Sequence, residues 1–153
     1  MIVEEIYTMR HVEIYSDGSC LNNPGVGAWA SILVYNGHEK VLSGYEEYTT
    51  NNRMELLGVI NAIQALKEPC HVTITTDSKY VTDAFKQGWI RNWVKQGILT
   101  RKNGELWARL LDVSKDHVVD YVWVKGHAGH PYNERCDKVA NTLARQVQSR
   151  LSC

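Results

Sequence analysis

Apolar and polar residues alternate from His11 to Ser16, with Val12 and Ile14 on one side and His11, Glu13 and Tyr15 on the other. A period of two predicts a strand, and it meets Asp17-Gly18-Ser19, a turn-forming run. Beyond the loop 21–27 a second apolar run spans Ala28 to Tyr35. Asn36-Gly37 then predicts a tight hairpin into a third strand, Glu39 to Tyr48. The period next lengthens. Met54, Leu57, Ile60, Ile63 and Leu66 recur at helical spacing, with Asn51 or Asn52 as cap and Pro69 as the stop. Val72 to Thr76 is a β-branched strand, and Ser78 to Phe85 a helix. Gly88 and Gly97 bracket a short helix from Trp89 to Lys95, and another runs from Glu105 to Ser114. Val118 to Val124 is the last strand. The loop Gly126 to Pro131 leads into a final helix, Asn133 to Gln148.

Helical crossovers carry right-handed parallel connections, so the late strands should lie parallel to the first. The expected fold is α/β, a five-stranded mixed sheet (three antiparallel strands, then parallel ones) flanked by helices. No repeat, linker or low-complexity tract interrupts it, which predicts one domain over residues 1–153.

Composition refines this picture. With 44% hydrophobic and 22% charged residues the chain is too apolar to be intrinsically disordered. No apolar run reaches the roughly 20 residues that span a bilayer. The N-terminal stretch MIVEEIYTMRHVEIY lacks a basic segment followed by an apolar one, so no secretory leader is expected. Four scattered cysteines, without a C-x-x-C pair, read as reduced thiols of a cytoplasmic protein. The net charge is zero, but its distribution is uneven. Residues 79–102 hold 6 basic side chains against Asp83 alone, while residues 1–78 hold 4 basic against 10 acidic. Such a basic stretch can be a solvated helix face or an anion-binding surface.

Asp17 and Asp77 each end a predicted strand. If those strands are parallel neighbours, both carboxylates project from the carboxyl edge, where sheets of this kind bind ligands. Glu55 and Asp137 fall in the first turns of their helices. Singly, each acid also suits a turn or a helix dipole. Four converging carboxylates would repel one another without a cation, and an oxygen-only donor set suits Mg²⁺ or Mn²⁺ rather than zinc. Two such ions would form a clamp for phosphodiester displacement.

The segments DGSCLNNPGVG, TTNNRMEL, TTDSKYV, GWIRNWVKQG and VKGHAGHPYNERCDKVAN closely resemble type 1 ribonuclease H, in the family's order and from about residue 12 to 145. The resemblance implies a ribonuclease H-like fold, with Asp17, Glu55, Asp77 and Asp137 binding two Mg²⁺ ions (Mn²⁺ as a substitute). It implies endonucleolytic cleavage of the RNA strand of an RNA–DNA hybrid, leaving 5′-phosphate and 3′-hydroxyl ends. It tips His127, in a glycine-flanked loop, toward a proton-transfer or product-release role, and His130 is read as structural. A non-catalytic hybrid-binding module and a resolvase- or integrase-type nuclease are the rival readings. All four acids argue against the first, and GHAGHPYNERCD with the paired tryptophans argues against the second. A monomer without a membrane partner is expected.

Trp89 and Trp93, four apart with Arg91 and Lys95 interleaved, resemble the family's basic handle, which grips the DNA strand; Trp107 and Trp123 read as core. Cys20, Asn23, Asn51, Asn52 and Lys79 match positions that touch the hybrid's backbone and minor groove, where polar groups can reach a 2′-hydroxyl. Thr50 and Asn103 match a pocket for a DNA-strand phosphate, with Tyr48 where an arginine is expected. The handle departs from the better-known pattern: it is shorter, with only Lys95, Arg101 and Lys102 as cations between Trp93 and Trp107. Fewer phosphate contacts weaken binding. In a salt titration of hybrid affinity, this protein should bind more weakly than a long-handled relative, or let go at lower salt. Equal or tighter binding would contradict the reading.

Overall fold

The computed structural model describes residues 8–153. The expectations of a domain from residue 1 and of no secretory leader rest partly on residues outside that range. β1 (Arg10–Cys20), β2 (Gly25–Tyr35) and β3 (His38–Thr49) form an antiparallel meander. Helix α1 (Asn51–Gln64) crosses over to β4 (Cys70–Thr76), which pairs parallel with β1. Then come α2 (Lys79–Lys86), α3 (Trp89–Gln96), a single 3₁₀ turn at Ile98–Thr100, and α4 (Gly104–Ser114). β5 (Val118–Trp123) pairs parallel with β4, and α5 (Pro131–Leu151) closes the chain. The sheet order is β3-β2-β1-β4-β5, the mixed five-stranded sheet expected from the pattern of elements.

Alternation along the strands sends side chains to two apolar layers. One layer holds Val12, Ile14, Trp29, Val72 and Ile74 under α1, with Trp107 and Leu110 of α4. Helix α1 is buried nearly all round, from Met54 through Ile60, because it lies between sheet and α4. The other layer, which includes Ile32 and Val147, has small residues along the seam of β2 and α5: Ala28 and Ala30 on the strand, Ala140 and Ala144 on the helix. Short side chains let that helix lie close to the sheet.

Several boundaries differ from the sequence expectation. Asp17-Gly18-Ser19 does not turn: Gly18, Ser19 and Cys20 still pair with Trp29, Ala28 and Gly27 of β2, so Asp17 lies within the strand. The parallel pairing to β4, however, stops at Ser16 opposite Thr76. Asp17 is thus the first residue of β1 past the β4 ladder. Thr50, rather than Asn51 or Asn52, caps α1, its hydroxyl accepting from Arg53 N at 3.3 Å. Glu55 and Asp137 consequently fall in the second turns of α1 and α5. Two tryptophans exchange roles. Trp93 is buried at 8% exposure, edge-on to the fully buried Trp107, whereas Trp123 is 39% exposed at the end of β5. Trp123 is therefore not core.

At Gly18 the backbones of β1 and α1 approach closely. A Cβ there would lie 2.6 Å from Glu55 N and 2.7 Å from the Met54 carbonyl carbon. Backbone cannot yield as a flexible side chain can, so Gly18→Ala should cost about 1–3 kcal/mol, the usual range for overpacking. It should also separate the Asp17 and Glu55 carboxyls. Denaturant unfolding and a divalent-cation titration check both effects; an unchanged midpoint would contradict them.

Candidate active site

One cleft of ≈ 360 Å³ is lined by Asp17, Glu55, Asp77, Asp137 and His127, with Asn51, Asn52 and Lys79 around them. Each acid arrives on a different element. Asp17 is carried by β1, Glu55 by α1 and Asp137 by α5, while Asp77 follows the last residue of β4. Parallel pairing of β1 with β4 puts Asp17 and Asp77 one residue beyond the same row, at the carboxyl edge. Carboxylate oxygens of Asp17, Glu55 and Asp77 lie within 4.8 Å of one another.

The surroundings make this proximity costly. Asp17 is 3% exposed; burial first, then the charges of Asp77 and Asp137, push its carboxyl up to about 8. Glu55 is buried too, and burial followed by Asp17 and Asp77 raises it well above the carboxylate range. Asp77 is raised chiefly by burial. Glu55 Oε2 is buried and has no hydrogen-bond partner among the described residues. Buried polar atoms are ordinarily satisfied, so an orphaned oxygen on a carboxylate that stands beside two other acids fits a hard divalent cation, as does the all-oxygen donor set.

The remaining contacts brace these groups. Asn141 donates through Nδ2 to Asp137 Oδ1 at 3.0 Å, and Ser19 Oγ donates to Asn141 Oδ1 at 2.6 Å, tying the α5 acid to β1. Gly126 lies against Asp77: a Cβ there would be 2.7 Å from its Oδ2. His127 is exposed on the rim with φ of 56°, a left-handed conformation that costs a non-glycine residue energy and often marks a functional loop. His130 caps α5, accepting from Asn133 N through Nδ1 at 3.3 Å, the structural part expected of it.

The expected substrate residues divide into groups. Asn51, Asn52 and Lys79 line the cleft. Asn23 accepts from Asn51 N at 3.0 Å, and the Cys20 thiol donates to Thr49 O at 3.2 Å, so both flank the start of α1. Asn103, left-handed at φ 60°, donates to the Tyr80 hydroxyl at the head of α4. On α3, Trp89 (46% exposed) and Lys95 face solvent, but Trp93 does not, and the Arg101 guanidinium stacks 3.9 Å over its ring. The expectation that Trp93 packs on substrate sugars is corrected: although residues four apart share a helix face, packing against Trp107 takes the Trp93 ring into the core and leaves Trp89 outside. Arg53, unread in the sequence, bonds Glu46 and Glu105 and fastens α1 to β3 and α4. Asn141, four residues after Asp137, was visible as an i, i+4 pair.

A second, apolar cleft of ≈ 300 Å³ opens between Arg10, Tyr35, Leu66 and Cys70, at the other end of β1 and β4, and gathers no comparable acids. Fold and site together define a metal-dependent hydrolase of the carboxylate type. The family model for RNase H matches residues 9–145. The chain is 52% identical over 141 residues to the ribonuclease H of Novosphingobium aromaticivorans, covering 89% of this chain and 98% of that protein. It is 51% identical over 140 residues to that of Campylobacter concisus, covering 92% and 96%. Among solved structures, LC9-RNase H1, a type 1 RNase H with the type 2 active-site motif, is 32% identical with a TM-score of 0.81, over 90% of this chain and 74% of that one. LC11-RNase H1, solved in complex with an RNA/DNA hybrid, shares the fold at 22% identity and a TM-score of 0.66, over 86% and 94%. The chain belongs to the ribonuclease H family, and is an endoribonuclease of the hydrolase class.

The raised Asp17 carboxyl has a consequence for stability without metal. In the unfolded chain it ionises near 3.8; in the native state it keeps its proton to about 8. Between those values the unfolded state binds fewer protons, so stability falls as pH rises. In chelator, Asp17→Asn should therefore be more stable than the parent at pH 8, by about 1–3 kcal/mol, with the gap closing near pH 4. Chemical denaturation at both pH values checks this; parallel profiles would contradict it.

Proposed function

We propose that this protein hydrolyses the RNA strand of RNA–DNA hybrids endonucleolytically, leaving 5′-phosphate and 3′-hydroxyl ends. The carrying observation is the cleft in which Asp17, Glu55 and Asp77 stand within 4.8 Å of one another, with Asp137 and His127 on the same lining. Those four acids would hold two Mg²⁺ ions, or Mn²⁺ in their place. When bound, the ions supply an ionised water at neutral pH and charge stabilisation for the attacking and leaving oxygens.

The chain's own groups do the rest. A bound cation would favour the ionised forms of Asp17 and Glu55, whose carboxyls burial and crowding raise, and the filled site would offer little negative field to an approaching phosphate. Asn51 and Asn52 present side-chain amides at the cleft, suited to a 2′-hydroxyl, which DNA lacks. His127, exposed beside Asp77, can take up or release a proton as product leaves. Cys20 and Asn23 extend the contact past α1. Thr50 and Asn103 form the phosphate contact for the DNA strand, and Trp89 with Lys95 meets its sugars and phosphates. Lys79 reaches a phosphate from the basic side of the cleft. No helix among the described residues is long and apolar enough to cross a membrane. As part of the same proposal, the protein works as a monomer in the cytoplasm.

Incubation with labelled RNA–DNA hybrid, RNA duplex and DNA duplex, each with Mg²⁺ or chelator, tests the reading. Only the hybrid's RNA should be cut, only with Mg²⁺, and its new 3′ ends should support polymerase extension. Asp17→Asn should lower the rate by about 10³-fold or more, the scale of losing a principal electrostatic group. His127→Ala should lower it about 10²-fold, the lower end for a proton-transfer group. Intact hybrid in Mg²⁺, or an Asp17→Asn variant as active as the parent, would overturn the proposal.

A further inference from the structure

We propose that Trp123 is a positioning residue for two groups of the site at once. Its indole N–H holds the peptide carbonyl of Asp77, and its ring face holds the Lys79 ammonium at the cleft for a backbone phosphate of the substrate. The second half rests on the hybrid-cleaving function proposed above.

Pairing between β4 and β5 ends with Thr76 opposite Trp123, and Val124 N donates to Thr76 O at 3.0 Å. The next carbonyl, Asp77 O, lies past the strand ladder, and Trp123 Nε1 donates to it at 2.9 Å. A side chain thus continues the hydrogen bonding of the sheet by one residue, to the residue whose carboxylate enters the cleft. On the same indole, Lys79 Nζ lies 4.7 Å from the ring centroid, within cation–π range. Ser78 fixes the root of that lysine by capping α2, its hydroxyl accepting from Val81 N at 3.3 Å. A long, mobile ammonium two residues from Asp77 could otherwise fold onto the acids and compete with divalent cations for them. Held on the ring, it stays at the lip of the cleft, where a phosphate can meet it. An indole 39% exposed at a strand end has no core role that would explain it.

Three variants separate the two contacts. Trp123→Phe keeps a ring face and removes the N–H, Trp123→Leu removes both, and Lys79→Gln removes the cation. Thermal melts report folding, calorimetry in the absence of substrate reports Mg²⁺ affinity, and steady-state cleavage of hybrid reports KM and kcat. Trp123→Phe should weaken Mg²⁺ binding about threefold with KM within about twofold of the parent. Trp123→Leu should weaken Mg²⁺ binding at least as much and raise KM about threefold, the scale of one exposed cation–π contact. Lys79→Gln should raise KM without weakening Mg²⁺ binding, and adding it to Trp123→Leu should raise KM no further. Phe and Leu variants that behave alike, or KM effects that multiply in the double variant, would overturn the inference. A parent that leaves hybrid intact would instead overturn the function on which the lysine's role rests.

Discussion

Everything in this protein is arranged around the repulsion between three acids that the fold forces together. Asp17, Glu55 and Asp77 lie within 4.8 Å of one another at the floor of an open cleft, with Asp137 beside them. Left to themselves, such groups would move apart or take up protons, and the raised carboxyls of Asp17 and Glu55 reflect the second course. The first is closed by backbone. Parallel pairing of β1 and β4 fixes two of the acids, the approach permitted by Gly18 fixes the third, and the Ser19–Asn141 link braces Asp137. The fold stores the means of binding cations in a geometry it cannot relax.

Around that centre the charge is divided. The acidic first part of the chain supplies Asp17, Glu55 and Asp77; the basic segment from Lys79 to Lys102 lies beside it in sequence and presents Lys79 at the cleft. A polyanion can bind only where the first is neutralised and the second stays free. Arg101, stacked on Trp93, shows that part of the basic segment also stabilises its own protrusion. A net charge of zero therefore conceals two surfaces of opposite sign and different tasks.

The sequence disclosed the element order and the convergence of acids because strand and helix periods are strong signals and acids at strand ends have few places to go. It misled where tertiary contacts decide. Asp17-Gly18-Ser19 looks like a turn, yet β2 continues the pairing past it. Thr50 took the cap from the two asparagines. Trp93 and Trp123 cannot be told apart by composition: which indole is buried depends on Trp107 lying beneath α3 and on β5 ending at the cleft. Arg53 carries no signal in the sequence because its partners, Glu46 and Glu105, lie on other elements.

The most direct test of this account is the proton balance of metal binding. Acids that hold protons only because they are crowded and buried must release them when a cation arrives. Calorimetric titration of Mg²⁺ into the metal-free protein at pH 7, in buffers of different ionisation enthalpy, should show net proton release that fades as the pH approaches 9. Binding heats that do not vary with the buffer at pH 7 would mean that the acids are already ionised, and that their mutual repulsion does not govern the site.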